Sequence, residues 1–250
     1  MTASEGQGGR RLLEVIVSSV DDVRAAWEGG ADRAEVVSRL DEDGLTPSRD
    51  VVEAMLAAAP LPLRVMVRPS NVFIVSDPAE REAIVDDARQ WAGLPLHGVV
   101  TGYVTPEGEV DIDLLHEVAD AAGHPVTFHR AIERVTADDA AAALHAIPAV
   151  DRILSGGGAG SWTERLARLE HLQRVATPLR VIAGGGVDLE AVEYLVTSPL
   201  VGEVHVGRTV RQDRHVDGPV SVAAVRAIRE RLERAGSVPP PPGPSARPPR

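Results

Sequence analysis

Eight short runs rich in valine, isoleucine and leucine alternate with eight helical patterns along the chain, and this alternation constrains the fold more than any other feature. The β-rich runs read as strands at 12–19, 33–38, 63–69, 98–104, 125–131, 152–157, 179–186 and 203–209. Near-continuous apolar strands separated by helices belong to parallel sheets covered on both faces. Eight regular units in 250 residues predict a closed (β/α)8 TIM barrel, one α/β domain over residues 12–235. A doubly wound open sheet is the alternative, but it seldom uses eight regular units.

The helical segments carry boundary signals. VDDVRAAWEGG opens on acidic residues and stops at Gly29 and Gly30, which suit a left-handed C-terminal cap. TPSRDVVEAMLAAAP offers Thr46 as N-cap and Pro47 as the first helical residue. Residues 1–11 read as a disordered N-terminus, and residues 236–250 as a proline-rich disordered tail that joins neither sheet nor helix.

Composition removes whole classes of function. The net charge of −11 argues against nucleic acid, which rewards a basic patch. No apolar run reaches the roughly 18 residues that a membrane span needs, and the N-terminus lacks the apolar core of a signal peptide. The expected location is therefore the cytoplasm. Cysteine is absent, which removes disulfides, thiol nucleophiles and thiolate metal ligands together. Lysine is absent as well: all 26 basic residues are arginine, so Schiff-base chemistry is closed to this chain.

Chemistry in (β/α)8 barrels sits at the carboxyl ends of the strands. Those positions hold Glu14 and Ser18, Glu35 and Ser38, Arg68, Thr101, then Thr127, His129 and Arg130, then Ser155, and finally His205 and Arg208. A barrel interior is normally filled by branched apolar side chains. Ionisable groups from five strands are expensive there unless they pair with one another or meet a ligand. Glu14 with Arg68 is one candidate structural pair. His129 is expected to face the mouth near Glu14, Glu35 and Arg68, exposed to solvent if it is functional, with Arg130 reaching the mouth only through a bend at the strand end or else pairing with Glu133 at the rim. Glycine gives a second signal. Gly184, Gly185 and Gly186 end the seventh strand and Gly207 the eighth, where phosphate sites of such barrels often form.

These residues give an expected site for a small anionic metabolite, phosphorylated or carboxylated. Glu14, Glu35 and His129 are the acid–base candidates for lyase or isomerase chemistry. Arg68, Thr101, Arg130, Ser155, Gly184, Gly185, Gly186, His205 and Gly207 are the binding candidates. A homo-oligomer remains open at this level.

The segments LLEVIVSS, GADRAEVV, DGLTPS, VMVRP, VVTGYVTPEGEVD, VTFHRAIE, ILSGGG, IAGGGV and EVHVG, in that order, resemble the CutC copper-homeostasis family. The resemblance implies a TIM barrel, a cytoplasmic protein, a link to copper tolerance and Cu(I) binding, and a polar mouth. That mouth falls on Glu14, Glu35, Arg68, Thr101, His129, Arg130 and His205. Members of the family often carry cysteines in the first two strands, where this chain reads EVIVSS and AEVV. Cu(I) prefers thiolate and thioether ligands. Without thiols, the remaining donors are His129, His205 and Met66, and no tightly held copper is expected.

Overall fold

The computed structural model describes residues 10–235. Its strands are β1 (Leu12–Val17), β2 (Arg33–Val36), β3 (Leu63–Met66), β4 (Gly98–Thr101), β5 (Val126–Phe128), β6 (Val150–Ser155), β7 (Arg180–Ala183) and β8 (Glu203–Val206). The helices between and after them are α1 (Val20–Glu28), α2 (Arg49–Ala58), α3 (Pro78–Arg89), α4 (Ile112–Ala122), α5 (Ala137–His145), α6 (Trp162–Ala176), α7 (Leu189–Leu195) and α8 (Val222–Ala235). Each strand pairs in parallel with the next, and β8 closes on β1 through Leu12↔Glu203 to Val15↔Val206. The architecture is the (β/α)8 barrel that the alternation predicts. Among the described residues no helix is long and apolar enough to cross a membrane.

Side-chain alternation along a strand explains the two cores. Leu13, Val15 and Val17 point outward and pack beneath the helices, as do Val36, Val65 and Val181 on their own strands. Glu14 and Ile16 therefore point inward. The inner apolar cluster is small: Val37, Met66 and Val100, with Ile16 and Leu40 against it. Leu154 and Ile182 add apolar bulk to the interior, and ionic and polar side chains fill much of the remainder.

The strands end earlier than the apolar runs suggest. β5 stops at Phe128, and Arg130–Arg134 form a 3-10 helix where sequence predicts more strand. His129 makes that turn, its Nδ1 accepting the Ala131 backbone N–H at 3.2 Å. The expected cap at Thr46 is also corrected. α2 begins after Ser48, and Pro47 precedes the helix. Thr46 instead bridges to the end of β3, its N–H donating to Arg68 O at 2.9 Å and its Oγ1 accepting the Arg68 N–H at 2.8 Å. Gly30, just past α1, adopts φ of +91°, a conformation that suits glycine.

Of the segments expected to be disordered, residues 1–9 and 236–250 lie outside the described residues. Arg11 is held in place: its guanidinium donates to the carbonyls of Val196 and Ser198, both at 2.9 Å.

Candidate functional site

The barrel interior has a charged floor at the amino ends of the strands. Arg33 on β2 donates from NH2 to Glu203 Oε2 at 2.8 Å and from Nε to Glu14 Oε2. Arg152 reaches the same Glu203 oxygen from β6 at 2.9 Å. Arg64 on β3 donates to Asp151 Oδ2 at 2.6 Å, to Thr127 Oγ1 at 2.7 Å and to His97 Nδ1 at 3.2 Å. The guanidinium of Arg64 fits because Gly98 faces it: a Cβ there would lie 2.9 Å from Arg64 Cζ. Burial, and then the cationic charge of Arg64, push His97 down to about 4, so it serves this layer as a neutral acceptor. Three arginines, three carboxylates and a neutral ring thus compensate one another.

Above the floor stands a carboxylate–imidazole–carboxylate row. Glu14 Oε1 lies 2.7 Å from His205 Nδ1, and His205 Nε2 lies 3.6 Å from Glu35 Oε2. Burial alone would raise Glu14, yet Arg33 and His205 hold it well below the usual carboxylate range. Burial works against a charged His205, but Glu35 and Glu14 together raise it. Glu35 is pushed up to about 7, chiefly by burial, with the neighbouring charge of Glu14 adding to the effect. Of the two carboxylates in the row, Glu35 is therefore the one poised near neutral pH.

The row opens into a cavity of about 670 Å³ at the carboxyl ends of the strands. Glu35, Arg68, His129, Arg130, His205 and Gly207 line it, as do Gly185 and Gly186. Three buried polar atoms of its wall have no protein partner among the described residues: Glu35 Oε1, Arg68 Nε and His129 Nε2. Because His129 Nδ1 accepts a backbone N–H, the proton of the neutral ring sits on Nε2. Burial, then the nearby Arg68 charge, lower this histidine to about 3, so the Nε2–H donor persists across the physiological range. Gly102 leaves room for the ring, since a Cβ there would meet Nδ1 at 2.6 Å.

Other expected site residues are placed elsewhere. Glu14 does not line the cavity; Arg33 and His205 occupy its oxygens, so it orients His205 and is not free as an acid or base. The expected Glu14–Arg68 pair does not form. Arg68 instead donates to Gly44 O at 3.1 Å, in the loop after β2, and to Asn71 Oδ1, in the loop after its own strand β3. Thr101 is buried and donates to Val67 O at 3.0 Å; Ser155 Oγ accepts the Gly157 N–H at 3.0 Å. Both hydroxyls serve turns. Gly184 lies behind the cavity wall, its carbonyl accepting from Arg165 at 3.0 Å. His129 is not solvent-facing: it is 4% exposed, with the edge of Phe73 against it at a centroid distance of 5.4 Å. Arg130 does pair with Glu133 at the rim, at 3.3 Å, and both line the cavity.

Sequence reasoning missed Phe73, Arg134 and Arg214, all in the cavity wall. They sit in loops or 3-10 turns, where no periodicity marks a facing direction. The four-residue spacing of Arg130 and Arg134 was the available signal. It also missed Arg165, which donates to the carbonyls of Gly156 (2.6 Å), Gly184 (3.0 Å) and Gly185 (2.7 Å) while stacking on Trp162. Arg165 positions the glycine loops after β6 and β7.

The fold and cavity define a (β/α)8 barrel with a polar site at its carboxyl face. The chain belongs to the CutC family, whose model matches residues 11–210. A CutC family protein of Xanthomonas campestris pv. campestris (strain 8004) is 34% identical over 239 residues, covering 89% of this chain and 99% of the relative. A structure from Streptococcus agalactiae bearing the name copper homeostasis protein CutC superposes with a TM-score of 0.70 at 23% identity, covering 79% of this chain and 98% of that one. A thiamine phosphate pyrophosphorylase from Pyrococcus furiosus superposes with a TM-score of 0.57 at 17% identity, covering 92% and 99%. At these identities the two structures bear on the fold alone.

The copper in the family's name was tested against the donors present. The chain has no thiol. Met66 offers one thioether in the cavity wall, but both nitrogens of His205 face carboxylates and His129 Nε2 carries a proton. Among the described residues no three His, Asp or Glu side chains are grouped to hold a metal ion. The donors do not fit a soft Cu(I) ion.

Proposed function

We propose that this CutC-family barrel acts by binding a small anionic metabolite at its mouth, and that any part it plays in copper homeostasis runs through that ligand and not through a thiolate copper site. The observation that carries the proposal is the set of three buried, unpartnered polar atoms, Glu35 Oε1, Arg68 Nε and His129 Nε2, around one cavity. Leaving such atoms without partners costs about 1–3 kcal/mol each, and a ligand with hydrogen-bonding oxygens relieves that cost. Gly185 and Gly186 strengthen the case. Both have positive φ, and their N–H groups donate to no other protein group among the described residues. Successive free N–H groups of this kind form a concavity suited to phosphate oxygens. Such ligands belong to the cytoplasm, which is the compartment the proposal assigns.

A second reading has its own observation. Glu35, with its pKa raised to about 7, stands in the cavity wall beside a histidine that Glu14 holds in place. A group poised near neutral pH is suited to both taking and giving a proton. In that reading the bound anion is turned over by an isomerase or lyase step. Glu35 moves the proton, and Arg68 with His129 Nε2–H steadies developing negative charge.

Calorimetric titration with inorganic phosphate, pyrophosphate and a panel of sugar phosphates tests the binding proposal, with Cu(I) in a competing chelator as a parallel arm. Saturable binding of at least one phosphate compound, weakened in a variant of the cavity-lining Arg208, Arg208→Gln, is expected. One copper retained per chain against the chelator, with no phosphate compound bound, would overturn it.

A further inference from the structure

Five arginines line the cavity: Arg68, Arg130, Arg134, Arg208 and Arg214. The acidic groups facing it are Glu35, Asp43 and Glu133. Among the described residues only Arg130 pairs with a carboxylate, Glu133 at 3.3 Å. The other four have none, in a chain whose net charge is −11. Elsewhere in the barrel even fully buried arginines are matched: Arg33 with Glu14 and Glu203, Arg64 with Asp151. Arginines without a carboxylate also occur outside the cavity, but there Arg11, Arg165, Arg168 and Arg226 donate to backbone carbonyls and Arg180 is exposed, whereas four converge on this one cavity wall.

The five fall into two groups by topology. In the closed eight-stranded order, β3 stands opposite β7 and β4 opposite β8. Arg68 follows β3, while Arg130 and Arg134 lie on the 3-10 helix after β5. Arg208 and Arg214 follow β8, on the side of Gly185 and Gly186. The two groups differ in shape as well as place. Arg68 and Arg134 both lie against the ring of Phe73, with guanidinium carbons 4.7 and 4.9 Å from its centroid. The ring fixes two like charges near each other through cation–π attraction, and their repulsion falls when an anion joins them. Planar guanidinium edges match the two oxygens of a carboxylate. The glycine side offers backbone N–H groups at positive φ, which suit a tetrahedral phosphate.

We infer that the mouth takes a ligand with two anionic ends, a phosphorylated hydroxy-acid. Its phosphate lies at the β7 and β8 loops, its carboxylate at the Arg68–Phe73–Arg134 wall, and its hydroxylated chain runs past Glu35 and His205. The inference rests on the anion-binding proposal above and adds to it a second, separate subsite. It makes Arg134 and Phe73 specificity-determining residues.

Paired titrations separate the two claims. The phosphorylated acids 3-phosphoglycerate, 4-phosphoerythronate and 6-phosphogluconate are titrated beside glycerol 3-phosphate, erythritol 4-phosphate and sorbitol 6-phosphate, which lack the carboxylate. At least one acid is expected to bind about tenfold or more tighter than its alcohol counterpart, the scale of one charge-assisted contact. Arg134→Gln, an exposed position that tolerates the change, should reduce that acid to the affinity of the alcohol phosphate. Arg208→Gln should weaken both. Alcohol phosphates that bind as tightly as every acid would overturn the second subsite and leave the anion-binding proposal standing. If none of the six compounds binds while inorganic phosphate, pyrophosphate or a sugar phosphate does, this inference falls and the anion-binding proposal stands; if none of these binds either, both fall.

Discussion

The floor and the mouth of the barrel are built from the same residue types and reach opposite electrostatic outcomes. In the floor, Arg33, Arg64 and Arg152 meet Glu14, Glu203 and Asp151 directly, and His97 accepts from Arg64. In the mouth, Arg68 and Arg134 share a phenyl ring, His129 keeps an unused N–H, and Glu35 keeps one oxygen without a partner. A residue's type and burial therefore do not separate structure from function here. The presence of a carboxylate partner does: every arginine of the floor meets one, although Arg33 keeps one nitrogen unpartnered, whereas Arg68 and Arg134 in the mouth meet none.

The sharpest way to break this contrast is to unpair the floor. Arg33→Met leaves Glu14 and Glu203 buried with diminished compensation, and urea denaturation should show a loss of about 3–5 kcal/mol. A loss below about 1 kcal/mol would mean that the floor is not a lock.

The mouth should respond with the opposite sign. The folded pKa of Glu35 is raised from 4.5 to about 7. Its stabilising contribution is complete below 4.5, where folded and unfolded states are equally protonated, and is lost as pH rises through about 7. Glu35→Gln removes that loss. The variant should equal or exceed wild-type stability at pH 8, by about 1–3 kcal/mol at most, with the advantage shrinking towards pH 5. Denaturation at both pH values checks this, and a destabilised variant at pH 8 would place Glu35 with the floor.

Smaller effects sharpen the boundary between the two layers. His129→Ala removes the acceptor for the Ala131 N–H and a ring contact with Phe73, for about 1–2 kcal/mol. It should also reduce the rise in melting temperature that a phosphorylated acid induces. Loss of stability with an unchanged ligand shift would make His129 a cap only. Arg165→Met frees the carbonyls of Gly156, Gly184 and Gly185 and should cost about 1 kcal/mol. Its larger signature should be a weaker affinity for inorganic phosphate, measured by calorimetry.

Most of the fold was legible because it rests on local signals. Valine-rich strands and punctuated helices repeat eight times, and closure follows from their number. Glu35, Arg68, His129 and His205 were legible as mouth residues because each stands at the end of an apolar run. The pairing was not. Glu14 meets Arg33 because the register between β1 and β2 sets them side by side, and a second register, between β1 and β8, sets Glu14 beside His205. Thr101 and Ser155 were misplaced for a related reason: a hydroxyl at a strand end satisfies a nearby backbone group as readily as a ligand. Phe73, Arg134 and Arg214 escaped because irregular backbone carries no period from which to read direction.

The ionic floor also fixes how the barrel exchanges its contents. Arg33 and Arg64, among the largest fully buried side chains, fill the lower bore together with Glu203 and Thr127. The vessel is a cup with one lip. Whatever enters must leave by the same opening, so a departing molecule and an arriving one cannot pass, and exchange is strictly sequential. Water beneath a seated ligand has no drain below it and must slip out past the ligand or stay to bridge it to Glu35 and His205.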